Sequence, residues 1–202
     1  MSCKKGGLIV QRHNDLKAEW HHLCVQALTA TAITDKPLIH MSRDVRQARA
    51  AATEPQPELR GDVSAHGFWK RGTTTIFDIR VTDTDAASYR TTDPKTVLQR
   101  HEREKKAKYN NLCLARHRHF TPLVFSVDGM QGKEATAAIK KLSSHLSSKW
   151  KRTYSEVCGF TKSRLSVALA RSASRCLRAD RDPLINRPDT EWVAGTGLSL
   201  YR

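Results

Sequence analysis

The sequence lacks any hydrophobic run that approaches about 18 consecutive apolar residues, so we expect no transmembrane helix. The first seven residues carry charge but no apolar stretch, which predicts no secretory signal and an intracellular location, nuclear or cytoplasmic. Cysteine is also scarce, since the five cysteines are an odd number and lie far apart. That pattern argues against a disulfide framework and favours a reducing compartment.

Acidic residues are few. The 202 residues include 20 Asp and Glu against 35 Lys and Arg, which gives a formal net charge of +15 and a pI near 10.0. This excess predicts a polyanionic partner, and nucleic acid is the first candidate because Lys and Arg neutralise phosphates and release counterions. An anionic membrane is the weaker alternative, since no basic amphipathic helix is flanked by large aromatics. A merely soluble basic protein is the third.

Hydrophobic periodicity predicts helices alternating with strands. Where apolar residues recur every three or four positions, we expect helices over residues 8–33, 95–118, 133–151 and 155–178. Two strands joined by a turn are expected within 59–81, and a buried strand over 120–127, because these segments are rich in β-branched and aromatic residues. This order predicts an α/β fold with a mixed sheet covered by helices on both faces.

The length suits one domain, which we place at residues 8–179. Within it, the polar, alanine-rich segment 34–57 contains two prolines and predicts a mobile loop. Residues 180–202 are richer in proline and glycine, which predicts a poorly ordered tail. The sequence does not indicate an oligomeric state.

Two aspartates stand on neighbouring predicted strands. A hairpin-like return would bring Asp62 and Asp78 together, although they are 16 positions apart in the chain. Carboxylates a few ångströms apart repel each other, so such a pair favours a divalent cation. Mg²⁺, with Mn²⁺ as a substitute, would suit the pair and could activate water to cleave a phosphodiester. The alternative is an ordinary turn acid beside an ordinary surface acid.

Other residues could complete such a site. Asp15 on the first helix is the candidate third metal ligand, with a solvated helix acid as the alternative. Lys105 could activate water or stabilise the transition state, although it stands in a basic run that a solvated helix face would also explain. Tyr109 shares a helix face with Lys105. Arg80 shares a strand face with Asp78 and could hold a phosphate, but its high pKa prevents it from acting as a base.

At these residues the chain resembles the PD-(D/E)xK nuclease superfamily. It resembles more closely the restriction-like endonuclease domain that follows the reverse transcriptase in some non-LTR retrotransposons. The resemblance spans most of the chain and is carried by RHNDL at 12–16, RGDV at 60–63, TIFDIRV at 75–81, HEREKKAKY at 101–109, FTPLVFSVDG at 120–129 and KWKRTYSEVCGF at 149–160. It implies a restriction endonuclease-like core and a Mg-dependent DNA endonuclease that nicks target DNA to prime reverse transcription.

The resemblance also implies roles for single residues. Asp62 matches the acid of the PD element, with Gly61 in place of the proline, and Asp78 matches the (D/E) position. Arg80 stands where the motif has its lysine.

In the retroelement branch the lysine can come from the next helix in a K-x3-Y pattern, which Lys105 and Tyr109 satisfy. Asp15 matches the acidic position of the first helix. Asp62, Asp78 and Lys105 are thus the expected catalytic residues, Asp62, Asp78 and Asp15 the expected metal ligands, and Arg80 and Tyr109 the expected phosphate contacts.

The first seven residues resemble the end of a zinc-knuckle segment. Cys3 begins a C-x-x-G-G pattern, but no partner cysteine precedes it. One thiolate and one imidazole, His13 at best, cannot fill a tetrahedral zinc site. We therefore expect no zinc, and a chain cut from a longer polyprotein or a degenerate element copy.

The last two predicted helices carry many cations and almost no acids, which predicts a surface for the DNA backbone or for an RNA–DNA hybrid. An inactive nucleic-acid-binding relic of the same fold, or a structural protein with an acidic partner, are the alternatives. The expected backbone contacts are Lys140, Lys141, Lys149, Lys151, Arg152, Lys162, Arg164, Arg171 and Arg175.

Overall fold

The computed structural model describes residues 6–40 and 59–181. Its helices are α1 (Gly6–Ala27), α2 (Pro94–Leu114), α3 (Lys133–Trp150) and α4 (Tyr154–Arg181). Its strands are β1 (Ile33–Asp35), β2 (Leu38–His40), β3 (Leu59–Arg60), β4 (Val63–His66), β5 (Thr74–Thr82) and β6 (Arg118–Ser126). Within these described ranges, no helix is both long and apolar enough to cross a bilayer.

The strands form a mixed sheet with β5 near its centre. Four strands lie in the order β1-β4-β5-β6, with β5 antiparallel to β4 and parallel to β6. Strands β2 and β3 form a separate antiparallel pair. Parallel neighbours need a long crossover connection, which α2 supplies. The expected α/β class, with a mixed sheet flanked by helices, is confirmed.

The alternation along β5 separates two apolar clusters. Phe77 and Ile79 belong to the larger one, where the Trp20 ring lies 5.2 Å from that of Phe77 between centroids. This large core also takes residues from α1, α3 and α4, including Leu16, Leu23, Ile139, Leu142, Leu146, Leu165 and Leu169. Ile76 points to the opposite face, into a small core with Ile39, Tyr109, Cys113 and Phe120.

Two carboxylates fix the start of α2 and its attachment to α3. Asp93 caps α2 by accepting a hydrogen bond from the Thr96 amide at 3.1 Å. Glu102, one of the buried residues of α2, accepts a hydrogen bond from the Glu134 amide at 2.9 Å, in the first turn of α3. These contacts hold the helix that carries Lys105.

Two expected helices are longer than the observed ones. α1 ends at Ala27 rather than at residue 33, because Ala30–Ala32 form a short 3₁₀ turn and the chain enters β1 at Ile33. α2 ends at Leu114 rather than at 118, and His117 takes a positive φ of 53° just before β6 begins. In both places the expected helix included residues that instead lead into a strand.

The strand expectations also need adjustment. The first of the two strands expected within 59–81 is split into β3 and β4. The segment expected to be a mobile loop, 34–57, begins with strand residues of β1 and β2, and its part from residue 41 lies outside the described residues. The expected tail, 180–202, begins within α4, which continues to Arg181. Its residues from 182 onward and residues 1–5 lie outside the described residues.

Candidate active site

Asp62 is held against β5 by both its backbone and its side chain. Its amide donates to the Phe77 carbonyl at 2.9 Å, and its own carbonyl accepts from the Lys36 amide at 3.0 Å. Its Oδ2 accepts a hydrogen bond from the Ile79 amide at 2.6 Å. The carboxylate therefore lies beside the peptide bond that joins Asp78 to Ile79.

The surroundings of Gly61 explain why the proline of the motif is absent at this position. Its amide donates to the Pro37 carbonyl at 2.9 Å, a bond that proline could not make. A Cβ at this position would lie 2.5 Å from Ile76 Cγ2 and 3.2 Å from the Phe77 carbonyl oxygen. Because Gly61 has no side chain, the backbone can approach β5 closely. This close approach positions Asp62 beside β5.

Asp78 lies on the face of β5 that is turned toward α2. Its side chain is only 9% exposed, and Lys105 Nζ lies 2.5 Å from its Oδ2. That oxygen is buried, and the Lys105 ammonium is its partner. Burial raises the pKa of Asp78, Lys105 opposes the rise, and the charge of Asp62 adds to it. The structure thus brings the two expected acids and the expected lysine together.

His13 is a member of the cluster that sequence reasoning missed. Its Nε2 lies 3.0 Å from Asp62 Oδ1, and its side chain is 32% exposed. The hydrogen bond with Asp62 raises the pKa of His13, burial opposes the rise, and the negative charge of Asp78 adds to it. The sequence did contain an indication that His13 faces the protein. It lies three positions before Leu16 and so borders the row of buried residues on α1.

Asp15 lies two residues from His13 but on another side of α1. Its Oδ2 accepts hydrogen bonds from Ser172 Oγ at 2.7 Å and from Arg175 Nη1 at 2.8 Å, both on α4. These bonds attach α1 to α4. Across the described ranges no contact links Asp15 to the acid pair, so its role as a metal ligand stays a prediction.

The two expected phosphate contacts lie on the α2 side. Arg80 Nη1 donates to Glu104 Oε2 at 3.1 Å, next to Lys105 in the chain. Tyr109 packs in the small core, 5.3 Å from Phe120 between ring centroids. The Nζ of Lys105 lies 5.8 Å from the centroid of the Tyr109 ring. Phosphate binding by Arg80 and Tyr109 stays a prediction.

The donor groups fit a hard divalent cation. Within residues 6–40 and 59–181, no three His, Cys, Asp or Glu side chains form a preassembled metal site. Mg²⁺ needs only one or two protein carboxylates, since it keeps several waters and binds substrate phosphates.

The cations expected to bind the DNA backbone lie on α3, on α4 and in the turn between them. Three of them are engaged within the protein, because Arg164 and Arg175 pair with acids of α1 and Lys149 donates to the Leu28 carbonyl. The other six, none with an ion pair to a described residue, are Lys140, Lys141, Lys151, Arg152, Lys162 and Arg171.

No protein-family model matches the chain, and no curated protein matches it significantly.

Proposed function

We propose that this chain is a metal-dependent DNA endonuclease domain with a PD-(D/E)xK core, of the kind that nicks target DNA to prime reverse transcription in a retroelement. One observation carries the proposal: Asp62, Asp78 and Lys105 lie together although they come from the bend between β3 and β4, from β5 and from α2. The mixed sheet and the basic surface of α3 and α4 support it.

The acid pair is the proposed site of Mg²⁺ or Mn²⁺. Asp62 and Asp78 would hold the cation, which when bound would lower the pKa of a water and stabilise the leaving oxygen. The Ile79 amide holds Asp62 in place through the hydrogen bond at Oδ2. The burial of Asp78 limits competition from bulk water and strengthens its electrostatic interactions.

Lys105 is the proposed catalytic cation. In the free protein its ammonium neutralises Asp78. A lysine ammonium lies on a flexible stem, so it can turn from Asp78 toward a phosphate when the carboxylate gains another cation. It would then stabilise the charge that develops on the phosphate in the transition state.

Binding of the DNA backbone is assigned to the exposed cations of α3 and α4. The side chains of Lys and Arg contact phosphates without reading sequence, so they would supply affinity and orientation. Arg80 would add a phosphate contact near the acid pair after leaving Glu104, whose side chain is half-exposed and easily hydrated.

A nicking assay on supercoiled plasmid tests this function. With Mg²⁺ or Mn²⁺ the chain should convert the plasmid to the open circle, and a chelator should stop the reaction. Asp62→Asn and Asp78→Asn should each lower the rate by about 100-fold or more, as expected when a group that stabilises the transition state is lost. Asp128→Asn, which changes an exposed acid in the turn after β6, is the matched control and should retain activity.

An inactive nucleic-acid-binding module is the second candidate. Two observations favour it: Lys105 already neutralises Asp78, and no preassembled set of three metal ligands exists in the described part of the chain. Salt-dependent DNA binding with no nicking in Mn²⁺ would support this module over the nuclease. Nicking that Asp78→Asn leaves unchanged would contradict the proposed site.

A further inference from the structure

The connection from α3 to α4 carries exposed aromatic side chains. Tyr154 and Phe160, in the first two turns of α4, are 44% and 40% exposed. The ring of Trp150, the last residue of α3, lies 5.5 Å from that of Phe160 between centroids, with the two planes at 75°. We call this segment, residues 150–160, the aromatic turn. Large apolar side chains that cluster at a surface, rather than stand singly, mark a binding site.

The surroundings of the aromatic turn are strongly cationic. Residues 149–164 include five Lys and Arg against a single acid, Glu156. The Glu156 carboxylate caps α4, because it accepts hydrogen bonds from the amide and the hydroxyl three residues earlier. Lys151, Arg152 and Lys162 are exposed and form no ion pair with any residue that the structure describes. The partner of this surface should therefore combine negative charge with flat apolar groups.

Single-stranded nucleic acid has both properties. Its unpaired bases can stack on aromatic side chains while its phosphates follow a row of cations. In duplex DNA the bases are already stacked on one another, so a duplex would contact the cations alone. An acidic peptide offers the charge but lacks a series of flat faces.

We propose that the aromatic turn binds single-stranded DNA, with bases stacked on Phe160 and Tyr154 and phosphates held by the exposed cations around them. This goes beyond the proposed function, in which the cations of α3 and α4 contact only the backbone. The choice of DNA over RNA rests on that function, whereas the stacking surface does not.

The aromatic turn is separate from the acid pair. His13 contacts Asp62 near the start of α1, and Lys149 donates to the Leu28 carbonyl just beyond the end of α1. At a rise of about 1.5 Å per residue, these two contacts are on the order of 20 Å apart along the helix. Variants in the aromatic turn therefore leave the acid pair intact, and strand binding can be measured without metal.

Fluorescence anisotropy of the full chain with chelator present tests the proposal, using labelled oligothymidine and a duplex of the same length. Phe160→Ala should weaken binding of the single strand by about tenfold, since one stacked base is lost. Duplex binding should change by less than about twofold, which also shows that the variant is folded. Phe160→Trp should retain the wild-type affinity for both. An equal loss for single strand and duplex would overturn the proposal.

Two further variants separate stacking from charge. Val167→Ala is the matched control, since Val167 is an exposed apolar residue of α4 that cannot stack with a base, and it should leave both affinities unchanged. Arg152→Gln should weaken both and lower the slope of log affinity against log salt by about one. An unchanged slope would remove the aromatic turn from the DNA contact and overturn the proposal.

Other occupants are tested with the same variants. Tighter binding of oligouridine than of oligothymidine would overturn DNA as the ligand. Binding of a helical peptide rich in glutamate and leucine, weakened about tenfold by Phe160→Ala, would overturn nucleic acid altogether. Preferential loss of single-strand binding in Phe160→Ala, together with no nicking by the wild type, would support the aromatic turn and contradict the proposed endonuclease.

Discussion

The two faces of β5 are filled in opposite ways. One face lies in the large core, where Phe77 packs with buried side chains of α1, α3 and α4. The other face has the small core of five buried residues, and further along the same strand Asp78 and Arg80 pair with charged side chains of α2. The packing that holds the fold is thus separated from the charged groups of the candidate site. Substitutions on the two faces should therefore separate stability from metal binding.

The largest effect on stability is expected in the large core. Leu142 is 0% exposed on α3, so Leu142→Ala should lower the free energy of unfolding by about 2–5 kcal/mol. Urea denaturation measures the loss, and calorimetry at low temperature measures metal binding by the folded fraction. Metal affinity should stay near that of the wild type. A weaker metal affinity in the folded variant would show that the two faces of β5 do not separate stability from metal binding.

A smaller loss is expected at Gly61, where the chain meets β5. Gly61→Ala places a Cβ against Ile76 and should cost about 1–3 kcal/mol, because the packed core has to shift. The same shift should move Asp62 and weaken metal binding. Gly159→Ala is the matched control in α4, where the new Cβ meets no neighbouring atom. That variant should gain about 0.5–1 kcal/mol, since alanine favours a helix over glycine.

A gain in stability is expected at Asp78. Because burial raises its pKa, the charged side chain weakens the folded state at neutral pH. Asp78→Asn should raise the free energy of unfolding of the metal-free protein by about 1 kcal/mol, as often happens when a functional residue is removed. Lys105 is 23% exposed and can turn its ammonium to water. The same variant should lose metal binding.

The pH dependence of this gain has a definite sign. The pKa of Asp78 is higher in the folded than in the unfolded chain, so the penalty is complete above the folded pKa. It shrinks as the pH falls from the folded pKa toward the unfolded pKa and is gone below the latter. The difference between Asp78→Asn and the wild type, measured by urea denaturation, should therefore be largest near pH 7 and shrink on acidification. A variant that is less stable than the wild type at pH 7 would contradict this account.

A modest effect is expected at Asp15, the acid that attaches α1 to α4. Asp15→Ala removes hydrogen bonds from Ser172 and Arg175 and should cost about 0.5–1.5 kcal/mol. Thermal unfolding measures the cost. Metal affinity should not change, whereas a weaker affinity would place Asp15 among the metal ligands.

Sequence reasoning predicted the elements better than their ends. Apolar spacing predicted all four helices, and strand alternation predicted that Asp78 and Arg80 share a face of β5, because burial imposes these periods. It extended α1 beyond Ala27, since nothing in the local period shows that Ile33 pairs with Ala65 of β4. Tertiary contacts determine where α1 ends and β1 begins.

The candidate site was predicted in part. The spacing of Asp62, Asp78 and Lys105 and the motif they resemble were enough to group them. Asp15 and His13 are only two residues apart, and sequence position does not show that one contacts α4 while the other contacts Asp62. These contacts depend on how α1 lies across the sheet.

Anomalous diffraction from crystals of the chain grown with Mn²⁺ tests the central claim most directly. The account predicts one strong manganese peak within bonding distance of the carboxylates of both Asp62 and Asp78, and loss of that peak in Asp78→Asn. A Mn²⁺-saturated crystal with no peak between these carboxylates would contradict it.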